Sequence, residues 1–286
     1  MKFQRIGIIS KPRRPDLEHI VPQLLRWLEQ RGHTCQYDTF TAGALQTAGG
    51  LEREELAAAV DLLVVLGGDG TLLAAARAVG GRGIPLLAVN LGGLGFLMTT
   101  GIHELYPVLE SALEGQFEIQ RRTLLRGQVV RDGEIMASYD ALNDVVVNKA
   151  AMARVIDMDA FVDDEFVCSY RADGLILSTP TGSTAYSLSA GGPVIFPPVA
   201  AMCLTPICPH TLTNRPVILP ETAQVEVVVK GAHDESYMTV DGQVGVDLHS
   251  HDRIRCSLSP HRVHLIQPQR QRFFEVLRNK MKWGER

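Results

Sequence analysis

Gly67-Gly68-Asp69-Gly70-Thr71 is the stretch whose reading decides the fold. Before it runs Asp61-Leu62-Leu63-Val64-Val65-Leu66, and after it Leu72-Leu73-Ala74-Ala75-Ala76-Arg77-Ala78-Val79, so the segment reads as strand, tight turn and helix. A fully apolar run of strand length predicts a strand buried on both faces, as in a parallel sheet. Ligands of open α/β sheets collect at the carboxyl ends of such strands. Glycines there let the backbone approach a ligand closely, while the N–H groups and dipole of the next helix attract phosphate. Asp69 stands among these anion-binding groups and would repel a phosphate unless it bound a cation, accepted a substrate hydroxyl, or did both. That use points to phosphoryl transfer. The plainer alternative is an Asp that only caps its helix.

Working outward, residues 3 to 9 read as a first buried strand and Ser10 to Pro15 as a basic loop at its carboxyl end. Leu17, Ile20, Val21, Leu24, Leu25 and Leu28 recur at helical spacing and Gly32 stops the helix, with Pro22 predicting a kink or a later start. His33 to Tyr37 reads as a second strand, 41 to 50 as a Gly/Ala/Thr-rich loop, and Leu51 to Val60 as a short helix. Ile84 to Val89 is a further strand followed by Asn90-Leu91-Gly92-Gly93-Leu94-Gly95-Phe96-Leu97, a second glycine-rich turn. Two such turns on successive parallel strands converge on one cleft. A helix over 103 to 114 completes a βαβα pattern, hence a Rossmann-like, doubly wound parallel-sheet domain over residues 1–120.

From about Arg121 the texture changes to short alternating runs rich in Val, Ile and Thr: Leu124 to Arg131, Ile135 to Val147, Val155 to Val162, Phe166 to Tyr170 and Leu175 to Ser178. Val217 to Leu219, Val225 to Lys230, Tyr237 to Val240, Arg253 to Leu258 and Val263 to Ile266 continue the series. Turn signals separate them, as expected of a C-terminal β-sandwich over 121–267. A terminal segment, 268–286, reads as a helix returning to the N-terminal domain.

With 286 residues the chain is long enough for two cores. A net charge of -4 supplies no electrostatic case for a nucleic-acid or membrane partner. Five scattered cysteines suit reduced thiols in a cytoplasmic protein, and the Cys and His pairs lack the spacing of a structural zinc site. The first residues carry no signal-peptide core, and no apolar run approaches a membrane span.

One stretch breaks the β texture: Thr179-Pro180-Thr181-Gly182-Ser183-Thr184-Ala185-Tyr186-Ser187-Leu188-Ser189-Ala190-Gly191-Gly192-Pro193, preceded by Arg171-Ala172-Asp173-Gly174. Its hydroxyls, dense from Thr181 to Ser189, suit a ribose or phosphate bound through side chains and helix-terminal amides, and capping chemistry accounts for only one or two of them. Here the sequence resembles the NAD kinases over almost its full length. Gly67-Gly68-Asp69-Gly70 is similar to the family's first signature, which is shared with diacylglycerol-kinase-like lipid kinases and, more distantly, phosphofructokinases. Asn143-Asp144 is similar to its Asn-acidic pair, Thr179 to Pro193 to its longest signature, and Val240-Asp241-Gly242-Gln243 to its late Asp-Gly-Gln element.

The resemblance implies transfer of the γ-phosphoryl of ATP, with Mg²⁺, to the adenosine ribose 2′-hydroxyl of NAD. Carried over by position, Asp69 is the base and Gly70 allows close approach. Asn143 and Asp144 hold the ribose hydroxyls and adenine side, and Asp173 binds the nicotinamide portion with Arg171 beside it. Thr184, Ala185, Tyr186, Ser187, Leu188 and Ser189 line the dinucleotide pocket, with Gln243 and Arg154 as further contacts, the latter matched by spacing alone. Asp144 stands where many members have the longer Glu. The resemblance also implies a homo-oligomer, dimer or tetramer. Two other readings share features of this pattern: a lipid kinase, which needs an apolar or membrane-facing entrance, and a non-catalytic NAD sensor, which has no need of Asp69. A dehydrogenase fits less well, because no G-x-G-x-x-G opens the first helix.

Overall fold

A computed structural model of the chain describes residues 3–93, 95–149, 155–230, 236–267 and 273–283. It divides into two compact units, Met1–Arg121 with Arg262–Arg286, and Arg122–His261. The fold is an α/β sheet unit, an antiparallel β-sandwich and a terminal helix.

The first unit contains β1 (Arg5–Ser10), α1 (Leu17–Glu29), β2 (Thr34–Tyr37), α2 (Thr39–Ala44), α3 (Arg53–Ala59), β3 (Leu62–Gly67), α4 (Asp69–Val79), β4 (Pro85–Asn90), β5 (Thr100–Gly101) and α5 (Leu105–Leu113). Its strands are parallel in the order β2-β1-β3-β4, and β3 is buried throughout, as its unbroken aliphatic run requires. The free edge of β4 is shared: Val89 and Asn90 pair with β5, while Pro85 to Leu87 pair with residues 264–266. One core joins Ile6, Ile8, Leu62, Val64, Leu66, Leu87 and Val89 to Leu17, Val21, Leu24 and Leu28 of α1 and to Leu105 and Leu109 of α5.

Two expectations are corrected here. Helix α1 runs through Pro22 with no later start. A helix-interior proline costs about 3 kcal/mol, and each of the four buried apolar side chains of α1 returns roughly 1.5–3 kcal/mol. Part of the 41–50 loop is helix α2, because the Asp38 carboxylate accepts the Thr41 amide at 2.9 Å and starts a turn that Gly and Thr alone would not favour.

The second unit continues with β6 (Glu118–Arg131), β7 (Glu134–Ala141), β8 (Asp144–Lys149), β9 (Ile156–Val162), β10 (Glu165–Ala172), β11 (Gly174–Ser178), α6 (Tyr186–Ser189), β12 (Ala201–Ile207), β13 (Val217–Pro220), β14 (Val225–Lys230), β15 (Ser236–Val240), β16 (Val244–Leu248) and β17 (Arg253–Gln267). One sheet carries the antiparallel run β10-β9-β14-β17 and the β6-β7 hairpin, and the other runs β13-β12-β11-β8-β15-β16. Alternate residues of both, among them Val145, Val147, Met158, Ala160, Leu175, Leu177, Val227 and Met238, fill the shared core. The terminal helix is α7 (Phe273–Met281).

Several strands differ from expectation. The run Ile135 to Val147 is two strands broken at Leu142-Asn143, and the last two runs are one continuous strand, β17. Strands β12 and β16 had no clear signal. Pro206 argues against a central strand, yet it lies beyond the last β12–β13 pair, Leu204↔Val217, where no ladder bond on that side is lost.

Candidate active site

In the first unit β3 delivers Asp69 to the first turn of α4, behind Gly68 in an extended conformation. The carboxylate is half-buried and held on both oxygens: the Phe96 amide donates to Oδ2 at 3.1 Å and the Met98 amide to Oδ1 at 3.0 Å. The two glycine-rich turns therefore meet, as adjacent parallel strands require, and the Leu91 amide adds a 2.8 Å bond to the Gly67 carbonyl. Glycines serve fit here. A Cβ on Gly95 would lie 2.2 Å from Asp69 Oδ1, and one on Gly67 would lie 2.3 Å from Thr71 Oγ1. Gly70 is exposed beside the carboxylate. From the basic loop, Arg14 pairs with Asp16 at 2.9 Å and donates to the Leu91 carbonyl.

In the second unit the Asn143-Asp144 turn is organised by Asp241. Its carboxylate accepts the amides of Leu142 (3.0 Å), Asn143 (2.7 Å) and Asp144 (3.2 Å). The Asp241 amide donates back to the Asp144 carbonyl at 2.9 Å. Asp144 is 4% exposed, and burial, reinforced by the charge of Asp241, pushes its carboxyl up to about 7. On the other side Thr179 Oγ1 donates to the Leu142 carbonyl at 2.6 Å, and Gly182 packs so tightly that a Cβ would lie 2.0 Å from the Asn143 carbonyl oxygen. Asn143 Oδ1 is buried and finds no hydrogen-bond partner among the described residues, and neither does the neighbouring Ser178 Oγ. A buried acceptor in that state is costly unless a ligand completes it.

The hydroxyl-rich segment divides in two. Ser183 donates to the Pro180 carbonyl at 2.7 Å and accepts the Ile195 amide at 2.9 Å, Thr184 bonds the Thr181 carbonyl at 3.3 Å, and Ser187 bonds Thr205 Oγ1 at 2.9 Å. Self-bonding thus accounts for more of these hydroxyls than the one or two expected from capping. Ala185 sits at φ -100, ψ -125 and breaks the path between the two short helical turns, which leaves Tyr186 and Ser189 exposed and Leu188 half-buried. Burial first, and then the charges of Cys208, Tyr237, Asp173 and Asp144, raise the Tyr186 phenol above its ordinary range, so these groups share one neighbourhood. Asp173 ion-pairs with Lys149 at 2.9 Å. Arg171 lines a surface groove with Asp157, Ser169, Tyr170 and Lys230 instead. Gln243 is exposed on the β15–β16 turn, and Arg154 lies outside the described residues. Asp241 and the Phe96 and Met98 amides are the site groups to which sequence reasoning gave no role. The Asp-Gly turn signal at Asp241-Gly242 and the resemblance of Val240-Asp241-Gly242-Gln243 to a family signature pointed to the first without giving it a role.

Within one chain, an α/β unit that frames a carboxylate with glycines at a helix start and a sandwich unit with a hydroxyl-lined, partly unsatisfied turn define a phosphotransferase class. Residues 6–117 match the ATP-NAD kinase N-terminal domain and residues 142–268 the ATP-NAD kinase C-terminal domain. The chain is 56% identical over 280 residues to the NAD kinase of Solibacter usitatus, covering 98% of each, and 49% identical over 285 residues to that of Koribacter versatilis, covering 99% of this chain and 100% of the relative. Among solved structures it is similar to yeast NADH kinase complexed with NADH (TM-score 0.92, 26% identity, 100% of this chain and 89% of that one). It is also similar to an NAD kinase from Archaeoglobus fulgidus in complex with ATP (TM-score 0.78, 25% identity, 97% and 98%). The chain belongs to the ATP-NAD kinase family, and it is a kinase.

Proposed function

We propose that the chain transfers the γ-phosphoryl of ATP to the 2′-hydroxyl of the adenosine ribose of NAD, producing NADP and ADP. The observation that carries this reading is Asp69, an acidic side chain held by two amides at the carboxyl end of a parallel sheet, in a chain of this family. A secondary hydroxyl is a weak nucleophile at neutral pH, so a positioned carboxylate takes its proton as attack develops. Both Asp69 oxygens are oriented by amides, and each retains a lone pair for that proton. Amides of the glycine loops and of the start of α4 stabilise charge on the transferring group.

Asn143 Oδ1 accepts from a hydroxyl or amino group of the adenosine, which supplies its missing partner. Asp144, with a carboxyl near neutrality, bonds the same end of the molecule. Tyr186 packs on a ring, Ser189 bonds near the adenine with Thr184, Ala185, Ser187 and Leu188 shaping the wall, and Asp173 takes the nicotinamide portion. Gln243, Arg171 and Arg154 are outer contacts in this reading.

Among the described residues no three His, Cys, Asp or Glu side chains gather to hold a metal. In this reading a Mg²⁺ ion would arrive on the phosphates of ATP and keep several of its waters, and Asp69 would be the carboxylate available to it. When bound, the ion neutralises charge on the β- and γ-phosphates. The same reading makes the enzyme a homo-oligomer, dimer or tetramer, and cytoplasmic; five free thiols suit a reducing compartment. Among the described residues no helix is long and apolar enough to cross a membrane.

The test is a coupled assay of the purified chain with ATP, Mg²⁺ and NAD, reading NADP with an NADP-specific dehydrogenase, together with calorimetric NAD binding. Asp69→Ala is expected to lose roughly 10²- to 10⁴-fold in kcat, the scale of general-base catalysis, with NAD affinity retained. Asp69→Asn is the less clean probe, because its new NH₂ faces a donating amide. Wild-type chain that binds NAD and makes no NADP would replace the kinase reading with that of a sensor.

A further inference from the structure

Asn90 is the last residue of β4 and is buried. It does not touch Asp69, yet its side chain makes three bonds inside the loop that follows it. Nδ2 donates to the carbonyls of Gly93 (3.0 Å) and Met98 (3.2 Å), and Oδ1 accepts the Gly92 amide at 2.8 Å. Met98 closes the loop further by accepting the Gly95 amide at 3.2 Å. The same loop presents the Phe96 and Met98 amides to the two Asp69 oxygens, and the backbone of Gly95 passes where any Cβ would strike that carboxylate. A primary amide suits this place because it offers two donors and an acceptor in one plane. Aspartate in the same volume would keep the bond from Gly92 and turn a carboxylate oxygen toward two carbonyls.

We infer that Asn90 is a positioning residue for phosphoryl transfer, fixing the orientation of the Asp69 carboxylate through its bonds to Gly92, Gly93 and Met98. The inference rests on the reading of Asp69 as the proton acceptor. It assigns Asn90 an effect on turnover and none on NAD capture, since its side-chain bonds stay within the one glycine-rich turn that follows β4 in the first unit.

A double-mutant cycle on the full chain separates positioning from packing. In the NADP-forming assay, Asn90→Ala and Asn90→Asp are each expected to lower kcat roughly 10- to 100-fold, the scale of a misplaced catalytic group, with KM and calorimetric Kd for NAD within about twofold. Placed in the Asp69→Ala background and followed by end-point NADP accumulation, the same changes are expected to lower the residual rate by less than about twofold, because no carboxylate remains to be positioned. Equal losses in both backgrounds would overturn the inference and leave Asn90 a packing residue, as would a change confined to KM. Asn90→Asp conserves volume, so the cycle stands if Asn90→Ala fails to fold. Were Asp69→Ala itself to keep wild-type turnover, the reading of Asp69 would fall and the inference with it. That outcome is distinct from one in which Asp69→Ala is inactive and Asn90→Asp is not.

Discussion

Two aspartates carry the proposed site, and the chain treats them in opposite ways. Asp69 is half-buried and receives two backbone amides on its own oxygens. Asp144 is buried, but the three amides of its turn go to its neighbour Asp241, and burial beside that second carboxylate raises it to about 7. The difference teaches that backbone amides do two jobs here. In the first unit they aim the carboxylate proposed to face a substrate. In the second they lock a turn, and the aspartate that completes it is left close to the point where it gains or loses a proton.

The largest effect should come from glycines that hold each aspartate's surroundings. Gly182→Ala drives a Cβ to 2.0 Å from the Asn143 carbonyl oxygen, a backbone atom that cannot swing away. It is expected to cost about 3 kcal/mol or more in denaturant unfolding and to abolish measurable NAD binding. Gly95→Ala meets the Asp69 carboxylate at 2.2 Å, a side chain that can rotate. It should leave NAD affinity intact and lower kcat by roughly 100-fold. If both variants lose binding and turnover alike, the two turns are not separate devices.

Asp144 supplies a middle-sized test through pH. Its folded carboxyl, near 7, lies above the ordinary value of 3.8. Between about pH 4 and 7 the folded chain therefore holds a proton that the unfolded chain has released, and stability falls as pH rises through that window. The full penalty is present above about 7. Asp144→Asn is expected to flatten that fall, by an amount on the order of a few kcal/mol between pH 5 and 8 in urea unfolding. Asp241 is the charged group pressed against it and Tyr186 the nearby phenol, so Tyr186→Phe should leave the slope unchanged. An unaltered slope in Asp144→Asn would show that Asp144 is not the group behind this pH dependence.

The smallest effects divide the hydroxyl segment. Ser187→Ala removes a buried bond to Thr205 and should cost about 1 kcal/mol of stability with little change in KM. Ser189→Ala is exposed and should alter stability by less than about 0.5 kcal/mol. In return it should raise KM for NAD by about fivefold, the scale of one hydrogen bond. Steady-state kinetics beside thermal melts decide both.

Much of this was legible from residue pattern alone. The unbroken Leu62 to Leu66 run pointed to a strand buried on both faces, and the glycines after it to a tight turn into a helix. The alternating runs after Arg121 likewise announced a sandwich. What stayed hidden depends on partners distant in sequence. Asp69 meets amides 27 and 29 positions away, and Asp241 serves a turn 97 to 99 positions earlier. No local spacing encodes either pairing. Several of the Ser and Thr hydroxyls from 181 to 189 also serve the backbone that carries them, as Ser183 does at Pro180 and Ile195, and residue density alone does not reveal that use. Helix α2 and strand β12 were missed for the converse reason: Gly43 and Pro206 are poor residues for their elements and are tolerated only in that surrounding structure.

The division of the chain also bears on its manufacture. The first unit is interrupted after Arg121 and resumes at Arg262, so residues 122–261 are an insertion within it. Its parallel sheet lacks the segment His264–Ile266, which lies against Pro85–Leu87, and its core lacks the buried side chain of Ile266, until the whole of the insertion has been made. The earlier-synthesised strands of the first unit must therefore wait, with the edge of β4 partly open, while the later-synthesised sandwich has all of its strands. In this enzyme the part made first is finished last.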